Sequence, residues 1–431
     1  MTQVHTNNND AQVKQVFTWY EAGQMSRQDA MEQLGIKQSQ FYVWLALWRK
    51  DPEGFTVRYG RDYANRTLGR PITTAIHREL EIEKGFISNP AMPIMFYNYS
   101  AIRDAVEEQT GNKLSAQTVI NYAKKWGFYV ERPKNRRSHT RQVLTDYTGM
   151  LLQHDASLHQ WSPYAVLPNG NPEKWSLITT LDDHSRMLLY AGLFERESAW
   201  AHIRALESVI LTYGVGIKYY SDNHAIFRYV SHRDRNGTSA ATYQRLLGTD
   251  DIAPQWKQCV EASGMKVTYA LSPEAKGKIE RPYRWLQDRI VRRAARQHAK
   301  TIDQVRDILA QEVERYNNRQ VHSTTKEIPL QRFERAQRED RSCFTPLDLA
   351  QTRPPVSSTK DIFCLRTERK VDGYNQVSLA GVKLTVPGHL KGGTTIRLHI
   401  VPGEKLTEIR LLKDSSVLGY QQIPTPSEFR F

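Results

Sequence analysis

The sequence predicts a multidomain protein with helical modules at its N terminus, an α/β core built on a mixed sheet, and a small β-barrel at its C terminus. The length of 431 residues suits about three domains on the usual relation between length and domain number. Apolar residues recur at helical spacing up to residue 131, and strand and helix patterns alternate from residue 147. Short alternating strands separated by Gly or Asp follow residue 359.

The charge of the chain favours a polyanionic partner. There are 60 Lys and Arg against 46 Asp and Glu, a formal net charge of +14, which points to nucleic acid first and to an acidic membrane surface second. The sequence contains no apolar run near the roughly 18 residues that a membrane span needs, and its start does not resemble a signal peptide. Its three cysteines lie far apart, which argues against a disulfide framework or a cysteine-based zinc site. We therefore expect a cytoplasmic, nucleoid-associated protein with no membrane partner.

Residues 1–52 are predicted to form a first helix-turn-helix module. Three stretches place apolar side chains at helical spacing, and the first two end at Gly23 and Gly35. Ser26 and Asp29 form the S-x-x-D pattern of a capping box at the start of the second helix. A glycine-containing turn before the third helix is typical of a helix-turn-helix. A three-helix bundle that contacts another protein remains the alternative.

Residues 70–131 are predicted to form a second helix-turn-helix module, followed by a basic linker over 132–145. Its three helices are expected to end at Gly85, Gly111 and Gly127. The polar side chains that the last helix leaves outward are of types that reach base edges and phosphates in a major groove: Gln117, Thr118, Asn121 and Lys124. Arg70, in the stretch NRTLGRP, is a candidate for a minor-groove contact, with a plain linker as the alternative.

Residues 146–340 are predicted to form the α/β core, in which three acids follow or approach strand ends. Asp155 ends an apolar run, Asp222 ends the short strand GIKYYSD, and Glu280 lies in the helix after the last strand. Clustered carboxylates repel one another unless a cation holds them together. Oxygen ligands select hard ions such as Mg²⁺ or Mn²⁺, so we expect two such ions here. Asp182 and Asp183 lie in a predicted hairpin turn, which explains them without chemistry.

Four stretches of this core resemble the catalytic core of DDE transposases of bacterial insertion sequences, within the retroviral-integrase superfamily. They are HDASLHQW, the DDHSR turn, YYSDNHAIFR and SPEAKGKIERPYRWLQDR, and the resemblance covers about residues 145–340. It implies an RNase H-like fold and binding of two divalent metals by Asp155, Asp222 and Glu280. The spacing between the last two is longer than is usual in the superfamily, and the zinc module that precedes the core of retroviral integrases is absent from the sequence.

The helix that carries Glu280 is expected to hold the DNA backbone as well. The candidate contacts on it are Lys276, Lys278, Arg281, Arg284, Gln287 and Arg289. Arg292, Arg293 and Arg296 would extend this basic stripe, or they are only solvated surface.

These expectations combine into a DNA transposase. The helical modules would bind terminal inverted repeats, and the core would cleave the element ends and join each 3′-OH to target DNA. Synapsis of two ends implies a homodimer or a higher homo-oligomer on DNA. The predicted barrel over 359–431 would touch DNA or another subunit. Two alternatives stay open: a sequence-specific DNA-binding regulator with an inactive core, and a hydrolytic nuclease of the same fold.

Overall fold

A computed structural model describes residues 8–57, 68–131, 145–221, 254–269, 277–352 and 356–426. Within residues 277–281 it describes the backbone but not the side chains. The chain divides into two compact units, Met1–Thr73 and Thr74–Phe431, and each is described by itself. No helix in the described ranges is both long enough and apolar enough to cross a membrane.

The first unit contains three short helices: α1 (Asp10–Glu21), α2 (Arg27–Leu34) and α3 (Gln38–Lys50). The Ser26 side chain accepts a hydrogen bond from the backbone N–H of Asp29, so the predicted N-cap of α2 is present. Gly35 ends the same helix in the left-handed conformation that glycine adopts without strain. Apolar side chains of the three helices meet in one cluster, in which the rings of Phe17 and Phe41 pack edge to face with centroids 5.7 Å apart.

Three further helices follow along the chain: α4 (Arg70–Ser88), whose residues from Thr74 on belong to the second unit, α5 (Tyr99–Thr110) and α6 (Ala116–Lys125). Gly111 ends α5 at a positive φ of 68°, and Ser115 caps α6, as the sequence predicts. The expected end of α4 at Gly85 is wrong, because the helix continues to Ser88. A glycine inside a helix costs only about 1 kcal/mol relative to alanine, and the surrounding helix offsets that cost.

The core is built on a mixed five-stranded sheet of order β3-β2-β1-β4-β5. Its strands are β1 (Leu152–His159), β2 (Trp175–Asp182), β3 (Leu188–Phe194), β4 (Lys218–Ser221) and β5 (Lys266–Tyr269). The first three strands pair antiparallel, and β4 runs parallel to both β1 and β5. The predicted mixed sheet is therefore confirmed.

Helices cover both faces of this sheet. They are α7 (Ala199–Tyr213), α8 (Gln255–Ala262), α9 (Gly277–Gln297), α10 (Ile302–Asn318) and α11 (Pro329–Arg338). Residues of α7 and α8 pack with Tyr219 of β4 in one apolar cluster, and those of α9 and α10 pack with Leu177 and Leu181 of β2 in another. Every residue of β2 is buried, as expected for a strand that is covered on both sides.

The C-terminal strands differ from the predicted barrel. After a short 3₁₀ turn at Thr359–Asp361 come β6 (Leu365–Lys370), β7 (Gln376–Leu379), β8 (Val382–Thr385), β9 (Thr395–Val401), β10 (Leu406–Lys413) and β11 (Ser416–Pro424). Among the residues described they form a four-stranded antiparallel sheet, β11-β10-β9-β6, and a separate hairpin of β7 and β8, with no closed barrel.

The hairpin arises inside the stretch QVSLAGVKLTV, residues 376–386, whose apolar pattern alone predicts a single strand. Ala380 and Gly381 both have positive φ, the conformation of a two-residue hairpin turn, and they split the stretch into β7 and β8. Val377 and Leu384 of the hairpin pack in the same apolar cluster as Leu398 and Ile409 of the larger sheet. Packing across the two sheets thus replaces the hydrogen-bonded closure of a barrel.

Candidate active site

Asp155 lies on the central strand of the sheet. It is the fourth of the eight residues of β1, is half-buried, and pairs with Thr179 of β2. The expectation that it ends its strand is wrong, because β1 continues to His159 along β2. On the other side, the register of β1 with the parallel strand β4 reaches only Gln153. Asp155 therefore lies two residues beyond the point where β1 stops pairing with β4, and within the part of β1 that still pairs with β2.

The side chains of the other two candidate acids, Asp222 and Glu280, lie outside the described part of the structure. The strand β4 ends at Ser221, and Asp222, the next residue in the chain, lies outside the described residues, as does Lys276. Glu280, Lys278 and Arg281 belong to the first turns of α9, where the backbone alone is described. The described side chains contain no group of three or more His, Cys, Asp or Glu that could hold a metal ion. The roles of Asp222 and Glu280 as metal ligands therefore remain predictions. The same holds for Lys276, Lys278 and Arg281 as DNA contacts.

Two hydrogen bonds hold α9 against the strand that carries Asp155. The hydroxyl of Tyr283 donates to the backbone carbonyl of Asp155, and the Gln287 amide donates to Ser157 Oγ at 3.2 Å. Burial, together with the negative charge of Asp155, holds the pKa of Tyr283 well above its ordinary value. The phenol therefore keeps the proton that it donates. Gln287 was expected to contact DNA, but in the structure its amide donates to Ser157 of β1.

The opposite face of β1 carries a buried polar chain that sequence reasoning missed. His154 Nδ1 lies 2.8 Å from Thr180 Oγ1, and its Nε2 lies 2.8 Å from His202 Nδ1 on α7. His202 Nε2 in turn lies 3.1 Å from Glu197 Oε1. The Trp256 ring stacks on His154 with centroids 5.3 Å apart. In the sequence, the one hint of this polar chain is His154, which precedes Asp155 by one residue. Strand alternation therefore places it on the face opposite Asp155.

The turn between β2 and β3 uses its acids structurally. Asp182 accepts hydrogen bonds from the backbone N–H groups of Gly149 and Ser185, at 3.0 and 2.9 Å. Asp183 forms an ion pair with Arg186 at 2.9 Å, and both side chains are buried. Burial raises the pKa of Asp182 above its ordinary value. These bonds support leaving both acids out of the catalytic set.

The last four arginines of the expected basic stripe on α9 pair with acids of the same chain. Arg289 is only 5% exposed and pairs with Asp104 of α5. The next three arginines of the stripe pair with acids as well: Arg292 with Glu83, Arg293 with Glu108 and Glu312, and Arg296 with Glu79 and Glu83. Arg289 was expected to bind phosphate, and the other three were expected to extend the stripe or to be solvated surface. In the structure all four guanidinium groups have carboxylate partners. Arg284 of α9, by contrast, is exposed.

Of the four candidate DNA-reading residues on α6, three are exposed and the fourth bonds within its own helix. Gln117, Asn121 and Lys124 are exposed, and Gln117 Nε2 donates to Asn121 Oδ1 at 2.9 Å. The Thr118 hydroxyl lies 2.8 Å from Ser115 Oγ at the N-cap, so it serves the start of the helix. Lys124 Nζ lies 4.7 Å from the centroid of the Tyr129 ring. Arg70, the first residue of α4, is exposed too.

The described core is a mixed five-stranded sheet flanked by helices, with an acid on its central strand. No protein-family model matches the sequence. A protein of Sinorhizobium fredii (strain NBRC 101917 / NGR234), named "Putative transposase y4bF", is 26% identical over 268 residues, or 62% of this chain and 50% of that protein. The transposase for insertion sequence IS1202 of Streptococcus pneumoniae is 25% identical over 189 residues, 44% of this chain and 36% of its own length.

The chain is thus similar to transposases of insertion sequences, which confirms the resemblance predicted from its motifs. It spans half or less of the length of these two relatives. Similar solved structures include a chain of the simian T-cell lymphotropic virus intasome, 13% identical with a TM-score of 0.34, covering 75% of this chain and 92% of that one. The HTLV-2 integrase catalytic core domain in complex with magnesium is 12% identical with a TM-score of 0.29, covering 44% and 98%.

Proposed function

We propose that this chain is a DDE-type DNA transposase, a polynucleotidyl transferase that cleaves the ends of a DNA element and joins them to target DNA. The observation that carries the proposal is the bond from Tyr283 to Asp155, because it fastens the helix of Glu280 to the strand of Asp155. The similarity to two transposases supports the same function.

Asp155, Asp222 and Glu280 are the proposed ligands of two Mg²⁺ or Mn²⁺ ions. Their oxygen-only donor set fits a hard divalent cation. Such ions stabilise the charge that develops on the attacking and leaving oxygens of a phosphodiester. The protein would supply a rigid frame for them: Asp155 stands on a central strand that pairs on both sides, and α9 is tied to that strand by hydrogen bonds.

In the proposed reaction, water first attacks a phosphodiester at each element end and releases a 3′-OH. That hydroxyl then attacks a phosphodiester of the target, so that one P–O bond forms as another breaks, and no covalent bond to the protein is required. The exposed Arg284, with Lys276, Lys278 and Arg281, would hold the DNA backbone through phosphate contacts, which position DNA without reading its sequence.

The two helical modules are the proposed readers of terminal inverted repeats. Gln117 and Asn121 carry amides that can bond to base edges, and Lys124 and Arg70 carry charges for phosphates or a minor groove. All four side chains are exposed. Because two ends must be processed together, we propose that the active form is a homodimer or a higher homo-oligomer on DNA.

An assay of cutting and joining tests the function. The purified chain is incubated with a linear duplex that carries the DNA flanking its gene, and with a supercoiled plasmid as target, in Mg²⁺ or in EDTA. We expect cleavage at the duplex ends and joined duplex–plasmid products in Mg²⁺ alone. Binding without cleavage would instead indicate a regulator with an inactive core, and cleavage without joined products would indicate a hydrolytic nuclease.

A further inference from the structure

Tyr283 has a buried hydroxyl whose nearer acceptor is the backbone carbonyl of Asp155, with the carbonyl of Leu177 at 3.5 Å. The side chain is 5% exposed and packs in the apolar cluster shared by α9, α10 and β2. Its hydroxyl leaves that cluster to donate to the backbone carbonyl of Asp155. A buried hydroxyl without a partner is costly, so this bond also defines where the ring can sit.

A second bond lies one helical turn further along α9. Gln287 donates to Ser157, two residues beyond Asp155 on β1. The helix is therefore attached to the strand at two points with matching order, Tyr283 to Asp155 and Gln287 to Ser157. Position 280 precedes position 283 by three residues, so that one helical turn separates the first anchor from the position of Glu280.

We propose that Tyr283 is a positioning residue, which sets the distance and register between the strand of Asp155 and the helix of Glu280. This inference rests on the proposed function, because it matters only if the two acids act together. A catalytic arrangement tolerates little displacement, and a shift of about 1 Å can cost on the order of a hundredfold in rate. The Tyr283 side chain acts on the backbone of Asp155, and the proposed role needs no contact between Tyr283 and DNA.

The same apolar cluster offers a matched control. Tyr316 of α10 is also buried, at 3% exposure, and within the described residues its hydroxyl has no hydrogen-bond partner. Tyr283→Phe and Tyr316→Phe therefore remove the same atom from the same cluster. Only the first substitution removes a bond to the candidate active site.

Two measurements on the full chain separate positioning from simple packing. The first is the midpoint of thermal unfolding as Mg²⁺ is added, since an ion that binds the folded state alone raises that midpoint. The second is the steady-state rate of Mg²⁺-dependent nicking of a supercoiled plasmid that carries the DNA flanking the gene.

For Tyr283→Phe we expect unfolding without Mg²⁺ at a lower midpoint than for Tyr316→Phe, because only Tyr283 loses a hydrogen bond. The Mg²⁺ concentration that gives half of the stabilisation should rise about tenfold, and kcat for nicking should fall about tenfold, with an unchanged KM for the plasmid. Ser157→Ala, which removes the acceptor of the second anchor from a half-buried position, should have the same effects at about twofold to threefold.

Equal Mg²⁺ response and equal kcat for the two phenylalanine variants would overturn the positioning role. A kcat that falls only in proportion to lost folded protein would overturn it too, because that is the signature of packing. If Tyr283→Phe does not fold, Ser157→Ala decides, and normal values for it reject the proposal. A wild-type chain that neither responds to Mg²⁺ nor nicks DNA would reject the transposase function itself.

Discussion

Glu83 of α4 and Arg292 of α9 form an ion pair that is almost completely buried, with side-chain exposures of 0% and 3%. They belong to a larger set in which acids of α4 and α5 meet arginines of α9 and α10. The second helical module is thereby joined to the core by charge. A buried ion pair contributes little net stability when intact, but breaking it leaves one charge buried without its partner.

Glu83→Gln should therefore destabilise the chain strongly. Glu83 pairs with Arg296 as well as with Arg292, and among the described acids Arg292 would keep Asp288 alone as an ion-pair partner. We expect a loss of about 3 kcal/mol in the free energy of unfolding, measured by urea denaturation. Glu108→Gln is the control, because Glu108 is 47% exposed and solvent screens its pairs to less than about 1 kcal/mol. Equal effects for both variants would contradict a buried network.

Arg284 and Arg289, both on α9, should behave in opposite ways. Arg284→Ala removes an exposed cation, so it should weaken binding to all duplex DNA and lower the salt slope by about 1 without affecting the unfolding midpoint. Arg289→Ala leaves Asp104 buried without its main partner and should lower stability instead. Salt-dependent binding and thermal unfolding of both variants test this. An Arg289→Ala protein of normal stability with weakened DNA binding would restore the original DNA-contact role.

Asn121→Ala should relax sequence preference at one base pair. Its amide is exposed and held in place by the bond from Gln117, which suits a bidentate contact with a base edge. The expected cost is about 1–3 kcal/mol at that base pair and little elsewhere. Competition binding over duplexes with each base pair of the protected site changed in turn measures it. Lys124→Ala should weaken all of these duplexes equally, and identical profiles for the two variants would refute the placement of the reading helix.

Glu280→Gln should abolish cleavage and joining while leaving DNA binding intact or slightly tighter. Glutamine keeps the length of the side chain but removes one of three anionic charges, and with it most of the affinity for the second ion. The barrier should rise by several kcal/mol, whereas loss of a charge beside the phosphates relieves repulsion. End cleavage in Mg²⁺ by purified protein is the measurement.

Arg281→Gln is the control for Glu280→Gln. It should weaken DNA binding and leave the Mg²⁺ dependence of cleavage unchanged. Near-normal cleavage by Glu280→Gln would reject the assignment of the three carboxylates.

Local chemistry determined most of the helix and strand positions. Ser26 and Ser115 cap helices where the sequence predicts them, and Gly35 ends a helix, because a cap acts within one turn of the chain. The mixed sheet follows from the alternation of strand and helix patterns between residues 147 and 297. The motif predicts Asp155 as a candidate acid, and the residue lies on the central strand. The sequence did not predict its position in the middle of that strand.

Contacts between distant segments decided the rest. The sequence shows Arg289 and Arg292 as a basic stripe, and nothing near them in the chain reveals that Asp104 and Glu83, more than 180 residues away, neutralise them. Likewise, the partner of Tyr283 is a carbonyl on another element, and the closure of a barrel depends on which strands pair. Patterns within the sequence determine which elements form, because caps and periodicity are local. Only tertiary packing decides which charges stay exposed to a partner, since that depends on which surfaces the folded chain brings together.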